Sequence, residues 1–327
     1  MTHGPAGGRR RVLAALLLAG ASAGCSFGGA EAEGRTPVPA TTFATPLSPP
    51  TPTSAPVLPT PGSGGVEPPA ALPGGWPGPH NTGVRPGVAL RPSGSVKVTV
   101  PGTVVENLEI RGELVVAAHD VVVRNVRVVA QPGYWGIHQT KGHRGLVVED
   151  TEVFGNGRQR TQFGILNDGG DITVRRVNIH AISNGVLTNE GVVEDSYFHD
   201  PIEYEGDHID MIMATSGPPE GKTLVIRRNT VINTLVQTGA IALFQDFGVV
   251  RDVTVEKNFL AGGGYSLYGG AGDKGRTSNI KIIDNVFSRR VFPQGGKFGP
   301  VAYFEPGSPG NEWRGNVWED GSPVQPS

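Results

Sequence analysis

From Val121 onward one short pattern of apolar and polar positions keeps returning. It is first met as Val121-Val122-Val123-Arg124-Asn125-Val126-Arg127-Val128 and comes back as Leu146-Val147-Val148-Glu149-Asp150-Thr151-Glu152-Val153 and Leu224-Val225-Ile226-Arg227-Arg228-Asn229-Thr230-Val231. Asn125, Asp150, Arg176, Asp195, Arg228, Lys257, Asp284 and Gly315 form one column of these copies, with steps of 25, 26, 19, 33, 29, 27 and 31 residues. Units of this length, made of short alternating strands with no helical period between them, describe the coils of a solenoid. Each unit has an apolar side that only a neighbour covers, so about eight coils must stack into one core. The charged pair followed by Asn, Ser or Thr marks a corner, because short polar side chains bond their own backbone there. A sandwich of antiparallel hairpins would need two-residue Asn-Gly or Asp-Gly turns, and few are present. The pattern therefore predicts an all-β, single-domain, right-handed parallel β-helix over residues 76–327.

The first 75 residues do not share the pattern. Residues 1–24 carry Arg9-Arg10-Arg11, an apolar run from Val12 to Leu18, and small residues up to Cys25; they have the form of a secretory signal. Cys25 is the single cysteine of the chain, so it has no internal disulfide partner, and acylation is the expected use of an exported lone thiol. Ser22 departs from the leucine usual at that point of a bacterial lipobox. Residues 25–75 are rich in Ser, Thr, Pro, Ala and Gly, and 14 of the 28 prolines fall between Pro37 and Pro79. Such a stretch cannot bury enough apolar surface to fold and predicts an extended tether. The expected location is the outer face of a membrane, held by the lipid alone, or the medium.

Charge narrows the partners. The formal net charge is −2. Residues 1–24 hold three arginines and no acid, so their removal takes it to −2 − 3 = −5. A mildly acidic chain with no basic cluster is a poor nucleic-acid binder. Both solenoid ends need covers; the Trp76 to Pro92 segment is expected on the first end and Phe304, Trp313 and Trp318 near the other.

Asn81-Thr82-Gly83-Val84, Leu243-Phe244-Gln245-Asp246-Phe247-Gly248, Tyr265-Ser266-Leu267-Tyr268-Gly269-Gly270 and the ending from Asn311 to Gly321 resemble a group of secreted actinobacterial right-handed parallel β-helix proteins. The resemblance runs over residues 76–324. It implies the fold, a surface location and membership of the pectate-lyase-like superfamily, which holds lyases, glycoside hydrolases, epimerases and non-catalytic adhesins. It carries over no catalytic residue, since a fold does not settle a function.

Candidate chemistry is expected on the strand that precedes each repeat phrase. If Ile137, Ile165, Val186, Ile209 and Ile241 point inward, the outward set includes His138, His208, Asp210, Tyr265 and Tyr303, with Asp168 and Gln245 at neighbouring strand ends and Tyr268 beside Tyr265. The densest cluster, Glu203-Tyr204-Glu205-Gly206-Asp207-His208-Ile209-Asp210, lies in the 33-residue step, where a loop has been inserted; solenoids put function in such loops. Three uses stay open there. Glu205, Asp207 and Asp210 can gather Ca²⁺, His208 can act as general base oriented by Asp210, or Asp207 and Asp210 can form a hydrolase pair. His180 and His199 occupy equivalent places after consecutive phrases and read as stacked corner residues. Ala261-Gly262-Gly263-Gly264 reads as a close turn, since no helix or Lys follows it at phosphate-loop spacing.

The leading expectation is a monomeric polysaccharide lyase acting on an acidic or cell-wall glycan, possessing catalytic residues His208, Asp210, His138 and Tyr265, with Lys141 or Lys274 as other bases. Asp168, Gln245, Tyr268 and Tyr303 are the expected sugar contacts. A non-catalytic glycan-binding or adhesive protein and a glycoside hydrolase are the alternatives.

Overall fold

The computed structural model describes residues 75–131 and 133–326. The leader of residues 1–24, Cys25 and the tether up to its last residue lie outside them.

The described chain is built of strands and turns only. It winds through three parallel sheets in the fixed order A, B, C. Sheet A has ten strands and sheets B and C nine each, and every strand but the first and last of each sheet pairs with its counterparts one coil earlier and one coil later. Sheet A starts at Arg91–Ser93, sheet B at Val96–Val98 and sheet C at Val104–Glu106. This is the right-handed parallel β-helix that the repeat predicts, extended by a coil at its start, where Asn107 opens an earlier copy of the corner.

The alternation is obeyed inside the coil. Ile110, Val128, Val153, Ile179, Phe198, Val231, Leu260 and Phe287 form one inward row of sheet A and are fully buried. Val123, Val148, Val174, Val193, Ile226, Val255 and Ile282 do the same in sheet C. Burying one such side chain contributes roughly 1.5–3 kcal/mol, and parallel stacking makes the rows continuous.

The repeat's corner column is a column of backbone conformation. Asn125, Asp150, Arg176, Asp195, Arg228, Lys257 and Asp284 all have φ between 47° and 55°, and Gly315 has φ 66°. One left-handed residue turns the chain from sheet C into sheet A. The next residue then points inward, and from Asn229 on it is always Asn. The Asn229 backbone N–H donates to Asn258 Oδ1, that of Asn258 to Asn285 and that of Asn285 to Asn316, each at 3.0 Å. Each Nδ2 donates to a carbonyl of the preceding coil, as Asn258 does to Ile226 at 2.9 Å. Ser196 continues the ladder by donating its N–H to Asn229 Oδ1, and its hydroxyl accepts from Val177 N–H. Corner polar groups that water cannot reach are satisfied in this way.

The Trp76 to Pro92 segment does not cover the first end. It lies lengthwise along sheet A as a strap, with the Trp76 ring 5.7 Å from that of Phe259. Gly83 N–H donates to the Arg176 carbonyl, and the Arg85 guanidinium meets Asp150 at 2.7 Å. In sheet A, Pro92, Glu109, Arg127, Glu152, Asn178, Tyr197, Thr230 and Phe259 are successive partners, so the strap spans seven rungs, about 34 Å at ~4.8 Å per rung. The reason is an outward apolar patch: Tyr197, Ile232, Phe259 and Ala261 form their own buried cluster, and Trp76 covers it. The other end is closed as expected, with Val324 buried and its carbonyl accepting from Trp313 Nε1.

Candidate functional site

The outer face of sheet B carries the candidate residues in two rows. One row runs His138, Leu166, Leu187, Met213, Ala242, Tyr268, Ala302. The other includes Asp210, Gly239, Tyr265 and Gly299. The expected residues fall into two groups. His138 and Tyr268 are five rungs apart in the first row, about 24 Å, and the positions between them are apolar.

At the first group, His138 Nε2 lies 2.7 Å from Asp168 Oδ2, and the imidazole packs 4.3 Å from the Trp135 ring. Asp168 is the natural orienter of His138, a pairing the sequence placed in one groove but not in one dyad. Lys141 is exposed in the following loop.

The second group is centred on aromatic rings. Tyr268 stacks on Tyr303 at 5.8 Å and 15°, meets Tyr265 edge-on at 5.5 Å, and touches Phe244 at 5.4 Å. Phe298, which sequence reasoning passed over, extends the row beside Tyr265 at 6.0 Å. Tyr303 and Phe298 are 60% and 61% exposed, so these rings present open faces to solvent. A single aromatic in the Gly-Lys-Phe-Gly-Pro stretch of a 31-residue step was the available signal for Phe298.

Beside the rings lies an acid the sequence framed differently. The strand there is Asp210–Ala214, and Ile212, in place of Ile209, aligns with Val186 and Ile241. Ile209 and Ile212 are both fully buried, so a period-two reading can be anchored on either; the inserted loop hides which. The consequence is that His208 falls outside the strand that Asp210 opens. His208 is exposed before the strand, whereas Asp210 is fully buried. Asp210 Oδ1 accepts Gly239 N–H at 3.1 Å and its Oδ2 has no hydrogen-bond partner. Burial pushes this carboxyl well above the usual range against the Gly239 hydrogen bond, and the Asp246 charge adds to the rise. Asp246 is itself raised by burial, opposed by the charges of His208 and Lys274. His208 thus faces Asp246 electrostatically, where an Asp210 partner was expected. Tyr268 is pushed to about 12, by burial first and then by Asp210 and the neighbouring tyrosines.

The expected Ca²⁺ ligands stand apart. Asp207 is bound by Arg160, whose Nε donates at 2.8 and 3.0 Å, and by the Ser183 hydroxyl at 2.5 Å. Glu205 is exposed. Among the described residues no group of three or more His, Cys, Asp or Glu side chains is placed to hold a metal ion. The Asp207 ion pair with Arg160 also removes it from any acid/base pair with Asp210.

Gln245 is buried and fully occupied in holding the 270–275 loop: Nε2 donates to the Gly270 and Gly275 carbonyls, and Oε1 accepts from Lys274 and Gly275 N–H. It is a brace for Lys274 where a sugar contact was expected. No protein-family model matches the chain, and no curated protein or solved structure matches it. The geometry of this face alone carries the functional reading.

His180 and His199 lie elsewhere, on adjacent rungs of sheet A, stacked at 5.0 Å between Phe154 and Tyr197. Glu152 takes His180 at 3.4 Å, and Asn178 and Asp200 take His199. The Ala261 to Gly264 run is a close turn, in which a Cβ at Gly262 would run into the Asn233 carbonyl.

Proposed function

We propose that the protein holds a polysaccharide on the outer face of sheet B, at its C-terminal coils. The observation that carries this is the aromatic cluster formed by Tyr265 and Tyr268 on one rung and Tyr303 at the end of the next, with Tyr303 60% exposed and the Asp210 carboxyl acting on Tyr268. Sugar rings present flat C–H faces that pack on aromatic rings, and their hydroxyls need acceptors at the rim. Tyrosine supplies both a flat apolar body and a polar tip at low entropic cost. A rigid sheet holds such groups more accurately than a loop does.

Cleavage is the second reading, and Asp210 favours it. A carboxyl held toward its protonated form by burial, next to a second carboxylate, is the arrangement that gives a glycosidase its acid and base. The lyase expectation keeps His208 as base, with Asp246 in place of Asp210 as the nearby charge, and retains its place in the pectate-lyase-like superfamily as a proposal. Surface anchoring through Cys25 belongs to the same picture and is tested by Cys25→Ala, which should move the protein from membranes to medium.

The test is a panel of neutral and uronate-containing polysaccharides mixed with the full chain. Retention on a glycan that is lost in Tyr268→Ala supports binding. Ultraviolet-absorbing unsaturated ends would make it a lyase; new reducing ends without them, a hydrolase. Equal retention by wild type and Tyr268→Ala would refute the tyrosine site.

A further inference from the structure

The tyrosine row does not simply run off the end of the solenoid. Its last sheet B strand, Gly299–Ala302, is preceded by a loop that turns back over the row, with Phe292 and Gly295 bridged across its tip. Between this loop and the final sheet A strand lies a cavity of about 470 Å³, lined by Tyr265, Phe298, Pro293, Pro300, Arg289 and Trp318. That volume falls within the ~300–1,000 Å³ of small-ligand sites. Tyr265 belongs both to the row and to the cavity wall, so the two are continuous.

The lining has one cation. The Arg289 guanidinium carbon lies over the Trp318 ring, 3.9 Å from its centre, and Nη1 donates to Asp320 at 3.2 Å. The ring contact and the Asp320 bond together hold the fork in place, and of its five N–H donors Asp320 engages one. The adjacent Arg290 is directed away to Glu319 at 2.8 Å, while Lys297 is exposed on the same loop. The opposite end of the row is acidic, with Asp210 and Asp246.

We infer that this cavity is a chain-end subsite for a glycan whose terminal sugar carries a carboxylate. The inference rests on the proposed glycan-binding reading of the tyrosine row. Tyr265 and Phe298, whose rings touch each other, give the terminal ring one apolar wall, and the Arg289 fork takes its carboxylate, an interaction whose geometry suits Arg and not Lys. The absence of another sheet B strand beyond Gly299–Ala302 among the described residues ends the row here, so the site receives an end and not the middle of a chain.

The test is calorimetric titration of the full chain with short alginate and polygalacturonate oligosaccharides, each compared with its carboxyl-reduced form. Wild type should bind the acid form of at least one about tenfold more tightly than the reduced form, the scale of one charge-assisted contact. Arg289→Gln should erase that preference. Asp320→Asn, which frees the guanidinium, should sharpen the preference, a gain that misfolding cannot mimic. Tyr268→Ala should weaken both forms together. If both forms bind wild type equally, or Arg289→Gln keeps the preference, the subsite is overturned while the row stands. If wild type binds neither form of any of them, both fall.

Discussion

Trp76 packs on Phe259, its ring tilted by 57° on the outer wall of sheet A. The contact joins the start of the described chain to a coil near its other end, and it covers an outward apolar patch that has its own buried cluster. Trp76→Ala should cost about 2 kcal/mol, below the range for a fully buried Trp because Trp76 stays half-exposed. Urea denaturation measures the loss, and limited proteolysis should show cleavage near residues 80–90 before the coils are cut.

Asn258 should matter more than any charge at the same corner. Alanine there removes the acceptor of the Asn229 N–H and the donor to the Ile226 carbonyl, both buried. Orphaned buried groups cost about 1–3 kcal/mol each, so Asn258→Ala should lose about 2–4 kcal/mol. Arg228→Ala at the outer side of the corner loses exposed ion pairs with Asp195 and Glu194, worth about 0–1 kcal/mol. Equal losses in the two variants would show that the ladder is not what holds the corner.

Asp210 sets a pH dependence with a definite sign. Its carboxyl is raised in the folded state, so folding favours the proton. The stability it supports is complete below the unfolded value of about 4 and declines as pH rises towards the folded value. Asp210→Asn should remove that decline. Asp246 shifts in the same direction, and Glu152, lowered chiefly by His180, and Asp200, lowered chiefly by His199, shift the other way. Glu152 and Asp200 are untouched by the change, so the difference between the two melting curves across pH reports Asp210 together with its coupling to Asp246. A wild type that gains on Asp210→Asn with rising pH would refute the assignment.

Tyr303→Ala should weaken glycan binding about tenfold, roughly 1.4 kcal/mol, without lowering the melting temperature, because Tyr303 is 60% exposed. Tyr268→Ala should do both, since its ring is packed against Phe244 and Tyr265. Affinity electrophoresis beside a thermal melt separates the two effects.

A chelator should leave the melting temperature unchanged. Asp207 is neutralised by Arg160 and hydrogen-bonded by the Ser183 hydroxyl, and Asp210 is buried apart from it. A drop of several degrees that Ca²⁺ restores would bring back the cation site expected at Glu205, Asp207 and Asp210.

The column from Asn125 to Gly315 was legible because one backbone conformation recurs at one place per coil, and that requirement selects residue types strongly enough to survive changes of step length. The strands were legible for the same reason, through rows such as Val128, Val153 and Ile179. The register of the Asp210 strand was not, because the inserted loop places two buried isoleucines three apart, and a strand's period of two cannot choose between Ile209 and Ile212. The strap was misplaced because a segment without repeat gives no register, and nothing local to Trp76 points to Phe259. Gln245 looked like a sugar contact because its residue type suits that role as well as it suits bracing a loop; which carbonyls lie within its reach is a property of neighbouring coils.

The strap changes how the molecule would carry a load. A pull reaching the domain through the chain before Gly75 does not arrive at the first coil. It arrives at the flank, beside Phe259, and must lift Trp76, then Gly83 from the Arg176 carbonyl, then Arg85 from Asp150, before it reaches Arg91–Ser93. Those contacts are loaded one after another, as in a zipper. The first coil is not peeled until the last of them has parted, so the strap acts as a sacrificial extension that spares the open end of the stack.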